Sequence, residues 1–306
     1  MAFEFLLQVH APADTLRAVA DSTRAAGAEK EAEPLFTHLL KHVQDSHELE
    51  TPFGVFNLPH LSIFGFDMSI TKHVVFLWIA AVVLIGLLAW VARRNARNTV
   101  PTGVGNLIEV FIVFVRDEIA LPTMGPEGMK YVPYLLTTFF FILLMNILGL
   151  VPYGASATGN VSVTAGLALI AYVMIQVSAI REHGVGEYLS HFTGGVHWAL
   201  WPIMIPIEIL STFTKAFALC IRLFANMTGG HISIVSLIGL IFVFAKVSPT
   251  IGYAVSVPSV LFSLGLNLLE LFVAFLQAYV FTMLTALFMG LGMQSEEHEA
   301  LEEHAH

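Results

Sequence analysis

Residues 216–224 read Ala-Phe-Ala-Leu-Cys-Ile-Arg-Leu-Phe, and the apolar pattern resumes from Ile232 to Ala245. A permanent cation, Arg222, stands inside that stretch. A guanidinium at the centre of a membrane helix costs roughly 2.5–3.5 kcal/mol on insertion scales, and it does not escape by losing its proton. Neither position i±3 nor i±4 holds an acidic residue that would neutralise it. Its partner is therefore sought elsewhere, and its presence implies a task.

The composition places this stretch in a membrane. Hydrophobic residues make up 56% of the 306 and charged residues only 12%, whereas an average soluble domain is about 25% charged. Mean hydropathy is +0.76. The net charge of −9 comes mostly from acidic tails and carries no signal for a nucleic-acid partner. A single cysteine, Cys220, excludes an intrachain disulfide and reads as a packing residue. The polar segment 1–73 has five Lys/Arg against ten Asp/Glu, and its early apolar run, Phe3 to Val9, is too short for a signal peptide.

Working outward from Arg222, the spans can be placed in turn. Val74 to Ala92 is an uninterrupted apolar run of 19 residues, enough to cross a hydrocarbon core of about 30 Å. Arg93, Arg94 and Arg97 follow it, and Arg116 and Lys130 lie in the same connection, so the positive-inside rule puts the N-terminus outside and this connection in the cytoplasm. Tyr131 to Tyr153 returns outward, 154–160 forms an uncharged external turn, and Val161 to Ile180 comes back to Arg181 and Glu182. A Gly- and His-rich cytoplasmic loop, 181–197, leads to Trp198 to Ala245, with Pro202 and Pro206 near its start. That stretch is too long for one upright span and reads as a short interfacial helix plus a span, or as one strongly tilted helix. Lys246 to Thr250 is the external turn; Ile251 to Met289, with Pro258 near its outer end, is again overlong. The expectation is an all-α polytopic membrane protein with five crossings: a polar segment 1–73 outside, a transmembrane domain 74–293, and an acidic tail 294–306 inside.

Intramembrane polarity collects on the last two stretches. Glu208, Lys215 and Arg222 recur every seven residues and Asn226 follows four later, which at 100° per residue keeps them on one helix face. Asn267, Glu270 and Gln277 share a side of the other stretch, at i, i+3 and i+10. If Gln277 lies level with Arg222 on antiparallel helices, then His231 lies about 13 Å and Glu270 about 10 Å further outward, while Glu208 lies about 21 Å inward. A carboxylate and an imidazole at one depth suit a proton relay, since burial and each other's charge bring both toward neutral titration. Two polar half-paths then flank a fixed cation.

Blander readings stand beside these. Lys215 reads equally as a snorkelling side chain or a bridge to Glu208. Asn226, Asn267 and Gln277 are also what interhelical amide bonds look like, and Glu270 with His231 is open to a structural ion pair. His183, His191 and His197 are spaced too loosely for a metal site and read as loop histidines, and the tail Glu302–His304 reads as solvated.

The run Arg222-Leu-Phe-Ala-Asn226-Met227, followed by Gly229-Gly230-His231, closely resembles the signature of the a subunits of F-type ATP synthases. Glu270 seven residues before Gln277-Ala278-Tyr279, and Met145-Asn146 before Leu150-Val151-Pro152, agree with it. The resemblance covers the chain from the first span to Met289. It implies a non-catalytic stator subunit without cofactors whose last two long helices face a ring of c subunits, with peripheral-stalk b subunits as further partners, in a bacterial inner membrane. It implies that Arg222 faces the ring carboxylates, that His231, Glu270 and Gln277 line an outer half-channel, and that Glu208 belongs to an inner one. Asn226, Lys215, Asn267 and Asn146 join the expected proton-translocating set. Many bacterial relatives carry Glu at the position of His231 and His at that of Glu270, so the pair here is exchanged, and Gly149 replaces an acidic residue that several relatives have. A secondary transporter with an arginine for an anionic substrate is the alternative reading, although no pair of related halves with broken helices is visible. An intramembrane enzyme lacks its nucleophile or metal cluster.

Overall fold

The computed structural model describes residues 48–51, 54–57, 62–63, 66–67, 71–95, 102–151, 156–191 and 201–293. Expectations for His197, the tail 294–306 and most of the segment 1–73 lie outside these residues. The chain divides into two units, one of residues 47–228 and 270–306, the other of 1–46 and 229–269.

In the larger unit, two short antiparallel pairs precede the first span. Strand β1 (Glu48–Thr51) pairs with β2 (Gly54–Asn57) in the register Glu48↔Asn57 to Thr51↔Gly54, and β3 (Ser62–Ile63) pairs with β4 (Phe66–Asp67). Nothing in their sequence predicted them, because two to four residues are too few to display alternation. Five helices follow that are long and apolar enough to cross a membrane, as expected, and the chain is a multi-pass membrane protein. Helix α1 (Lys72–Asn95) is the first, with Arg93 and Arg94 in its last turn. Its flank is open: Trp78, Val82 and Ile85 are 57%, 70% and 69% exposed, side chains that suit lipid.

The connection to the second span is helical. Helix α2 (Val104–Phe114) runs through a π-helical turn (Val115–Ala120) into the short α3 (Leu121–Met124), and a 3-10 turn (Glu127–Tyr131) leads to α4 (Val132–Leu150). Eleven residues of α2 are too few to cross, so its apolar face, Ile108 with Val115, Ile119 and Ala120 beyond it, is buried in the protein core. Helix α4 stops before Pro152: Val151 is extended (φ −73°, ψ 134°), the conformation that a following proline imposes. A 3-10 turn (Ala157–Gly159) precedes α5 (Val161–His191). The expected loop from 181 is instead helical to His191, broken only at Gly184, where φ of 80° is open to glycine at little cost. Lys130 in the 3-10 turn before α4 and Glu182 of α5, two residues before the Gly184 break, form an ion pair.

Helix α6 (Trp201–Val247) is one continuous element, of which Phe213–Val247 is the part long and apolar enough to cross a membrane; Pro206 sits inside it and removes one backbone bond near its start. Helix α7 (Pro249–Met293) is likewise unbroken across Pro258. In the larger unit the core is a block of Leu135, Phe139, Ile142 and Met145 of α4 with Leu219 and Leu223 of α6 and Ala278, Phe281 and Met289 of α7. Aromatic rings reinforce it: Phe111 lies 5.8 Å from both Phe139 and Phe275, and Phe139 stands edge-on to Phe275 at 6.0 Å. Such pairs contribute about 0.5–1.5 kcal/mol each beyond their buried area. Gly290 of α7 crosses α3 so closely that a Cβ there would lie 2.0 Å from the Thr123 carbonyl oxygen.

In the smaller unit, the described residues are the adjoining ends of α6 and α7. They turn at Ser248, whose N–H bonds the Phe244 carbonyl at 3.1 Å. Gly252 allows the two arms to meet, since its Cβ would fall 2.6 Å from Ala245 Cα.

Candidate functional site

Along α6, Leu219, Leu223 and Met227 recur every four residues and are buried, which fixes the inward face of the helix. Arg222 and Asn226 each sit one position before a member of that stripe, so both project beside it, and both are exposed. Among the described residues Arg222 has neither an ion-pair nor a hydrogen-bond partner. The cation is thus presented outward from the helix.

Asn226 reaches α7. Its Nδ2 donates to Gln277 Oε1 at 2.9 Å, an interhelical amide bond of the kind that the blander reading of these residues allows. Gln277 is buried, and small residues to either side of it, Ala274 and Ala278, let the backbone of α7 lie close to its neighbours. The Nε2 of Gln277 is buried with no partner among the described residues. Two turns earlier on α7, Glu270 is 6% exposed, and neither of its carboxylate oxygens has a hydrogen-bond partner among the described residues. A carboxyl buried without a partner is costly as an ion.

Lys215 does not remain an isolated charge: its ammonium lies 5.2 Å from the ring centroid of Phe288 on α7, a cation–π contact. Glu208 lies on α6 seven residues before it. His231 and Asn267 fall in the smaller unit. His231 is half-buried, and Asn267 donates to the Ser263 carbonyl of its own helix at 2.9 Å.

Asn146 is fully buried on α4. Its Oδ1 accepts from Thr158 Oγ1 at 2.7 Å, and its Nδ2 donates to the Ala274 carbonyl at 3.4 Å. Ala274 lies between Glu270 and Gln277, so Asn146 touches the polar stretch of α7 through its backbone. Sequence reasoning missed Thr158 and its neighbour Ser156, because hydroxyls in an uncharged turn look like any turn. Gly149 carries no acid for a spatial reason: a Cβ there would stand 2.5 Å from Ser156 Cβ.

Comparison with known proteins agrees on one family. The sequence profile of the ATP synthase A chain family matches residues 74–290. The ATP synthase subunit a of Chloroherpeton thalassium is 49% identical over 263 residues, 85% of this chain and 77% of the relative. That of Myxococcus xanthus is 52% identical over 242 residues, 78% and 77% respectively. The ATP synthase subunit a 2 of Prosthecochloris aestuarii is 48% identical over 292 residues, 94% of this chain and 88% of the relative.

Proposed function

The chain belongs to the ATP synthase A chain family, and on that premise we propose that it is the stator subunit through which protons cross the membrane and turn a ring of c subunits. The observation that carries this reading is Arg222, a permanent cation exposed on α6 with no partner among the described residues, beside the Asn226–Gln277 bond. An unpaired guanidinium in hydrocarbon needs an anion from outside the chain, and a ring carboxylate at the same depth supplies one. The opposing cation lowers the affinity of that carboxylate for its proton. Each ring site then arrives protonated, releases its proton before it passes Arg222, and closes the direct leak.

By the family resemblance the outer half-channel is assigned to Glu270, His231 and Gln277 and the inner one to Glu208, with Asn226, Lys215, Asn267 and Asn146 as further members of the proton-translocating set. The exchange of Glu and His at 231 and 270 preserves one carboxylate and one imidazole, which is all that a relay requires. One charge crossing 100 mV yields about 2.3 kcal/mol, so several protons pass per ATP and rotation accumulates their work. The subunit itself performs no catalysis, and its partners are the c-ring, the peripheral-stalk b subunits and the bilayer. The basic residues after α1 and the acidic N-terminal segment favour an N-terminus outside and a C-terminus in the cytoplasm of a bacterial inner membrane.

The test is ATP-driven proton pumping in inverted vesicles that hold the assembled complex. Arg222→Ala abolishes pumping with assembly intact if the assignment is right. Pumping at the normal rate would return Arg222 to a packing role.

A further inference from the structure

A buried histidine outside the proton path above begins a chain of hydrogen bonds that ends on it. His73, in the first turn of α1, is 4% exposed, and its Nδ1 lies 2.8 Å from the Ser156 carbonyl oxygen. A carbonyl only accepts, so Nδ1 carries a proton. Ser156 Oγ and Thr158 Oγ1 are 2.8 Å apart, and Thr158 gives its single proton to Asn146 Oδ1, so Ser156 is the donor of that pair. With its oxygen fixed by Thr158, Asn146 must turn its amide N–H toward the Ala274 carbonyl. Ser156, Thr158 and Asn146 are all buried. The bonds run from α1 through the turn before α5 and across α4 to α7.

Two links show that this chain does not conduct protons. The Ser156 carbonyl and the Asn146 amide do not take up and release protons as hydroxyls and imidazoles do. What the chain does have is direction and stiffness. We propose that His73 is a positioning residue: through the 156–158 turn and Asn146 it fixes the stretch of α7 between Glu270 and Gln277. The proposal rests on the proton-path reading of Glu270 and Gln277. Gly149 belongs to the same device, because the absence of a side chain lets the turn settle onto α4 near enough for Thr158 to reach Asn146.

The experiment compares ATP-driven pumping per assembled complex, in inverted vesicles, for His73→Phe, His73→Asn, Asn146→Leu, the double variant His73→Phe/Asn146→Leu, and Thr158→Val. His73→Phe, Asn146→Leu and Thr158→Val are expected to lower pumping several-fold. His73→Asn, whose amide donates from a position close to that of Nδ1, restores most of it. In the Asn146→Leu background His73→Phe adds nothing, as residues acting through one link are non-additive. Four results overturn the proposal: normal pumping in His73→Phe; pumping as low in His73→Asn as in His73→Phe, which would make the imidazole a proton carrier; fully additive losses; or normal pumping in an assembled Thr158→Val complex. Thr158→Val also decides the matter if His73→Phe fails to assemble. Arg222→Ala in the same vesicles separates the two claims: normal pumping there sinks the proton path itself, while blocked pumping there beside a normal His73→Phe sinks only the brace.

Discussion

At the scale of single residues, the site is made by groups that ought not to be where they are. Arg222→Lys keeps the charge but offers a compact ammonium that gives up its proton when desolvated, so pumping is expected to fall nearly as far as with alanine. The assay is the same vesicle measurement. Gln277→Leu leaves the Asn226 amide without its acceptor. An interhelical amide bond in a membrane is worth about 1–2 kcal/mol in model peptides, and removing both partners, as Asn226→Leu/Gln277→Leu, recovers part of its loss. Thermal denaturation of the detergent-solubilised complex measures the difference between single and double variants. Arg222 and Glu270 were legible in the sequence because a charge in an apolar run stands out. Thr158 and His73 were not, since their importance lies in a fold that brings residues 83 positions apart to one bond.

At the scale of elements, the long spans were readable because twenty or so apolar residues leave the backbone no alternative to a helix in hydrocarbon. The helical connection over 104–124 was missed for the complementary reason: Val104–Phe114 is as apolar as a span but too short to be one, and its burial inside the protein is a tertiary fact. Helix packing then sets the tightest tolerances. Gly290→Val places a branched side chain against the Thr123 carbonyl. Overpacking of this kind costs about 1–3 kcal/mol, so the yield of folded subunit in membranes should drop. Gly86→Ala is the matched control, because nothing lies within 4 Å of a Cβ at Gly86, and its yield should equal that of the wild type.

At the scale of the whole molecule, the positive-inside assignment predicts the side on which each end emerges. The chain suits a labelling test, as its only cysteine, Cys220, is buried beside Thr164. Single cysteines placed at Ala2 and at Ala305 of a Cys220→Ala chain should react with an impermeant maleimide from opposite sides, position 2 in right-side-out vesicles and position 305 in inverted ones. Labelling of both from one side would require an even number of crossings. Charge bias gives the expected orientation a local signal in the sequence, whereas the join between Asn146 and α7 had no local signature.

That join also dictates an order of manufacture. Asn146 and Ala274 are separated by 128 residues, which a ribosome working at about 5–20 residues per second takes roughly 6 to 26 seconds to add. For that interval the nascent chain holds α4 with an amide donor and half of an aromatic cluster awaiting Phe275, in a solvent that offers neither water nor a ring. Helix α4 is completed only by α7, which is made long after it, so a chain truncated before residue 270 should be found degraded by membrane proteases.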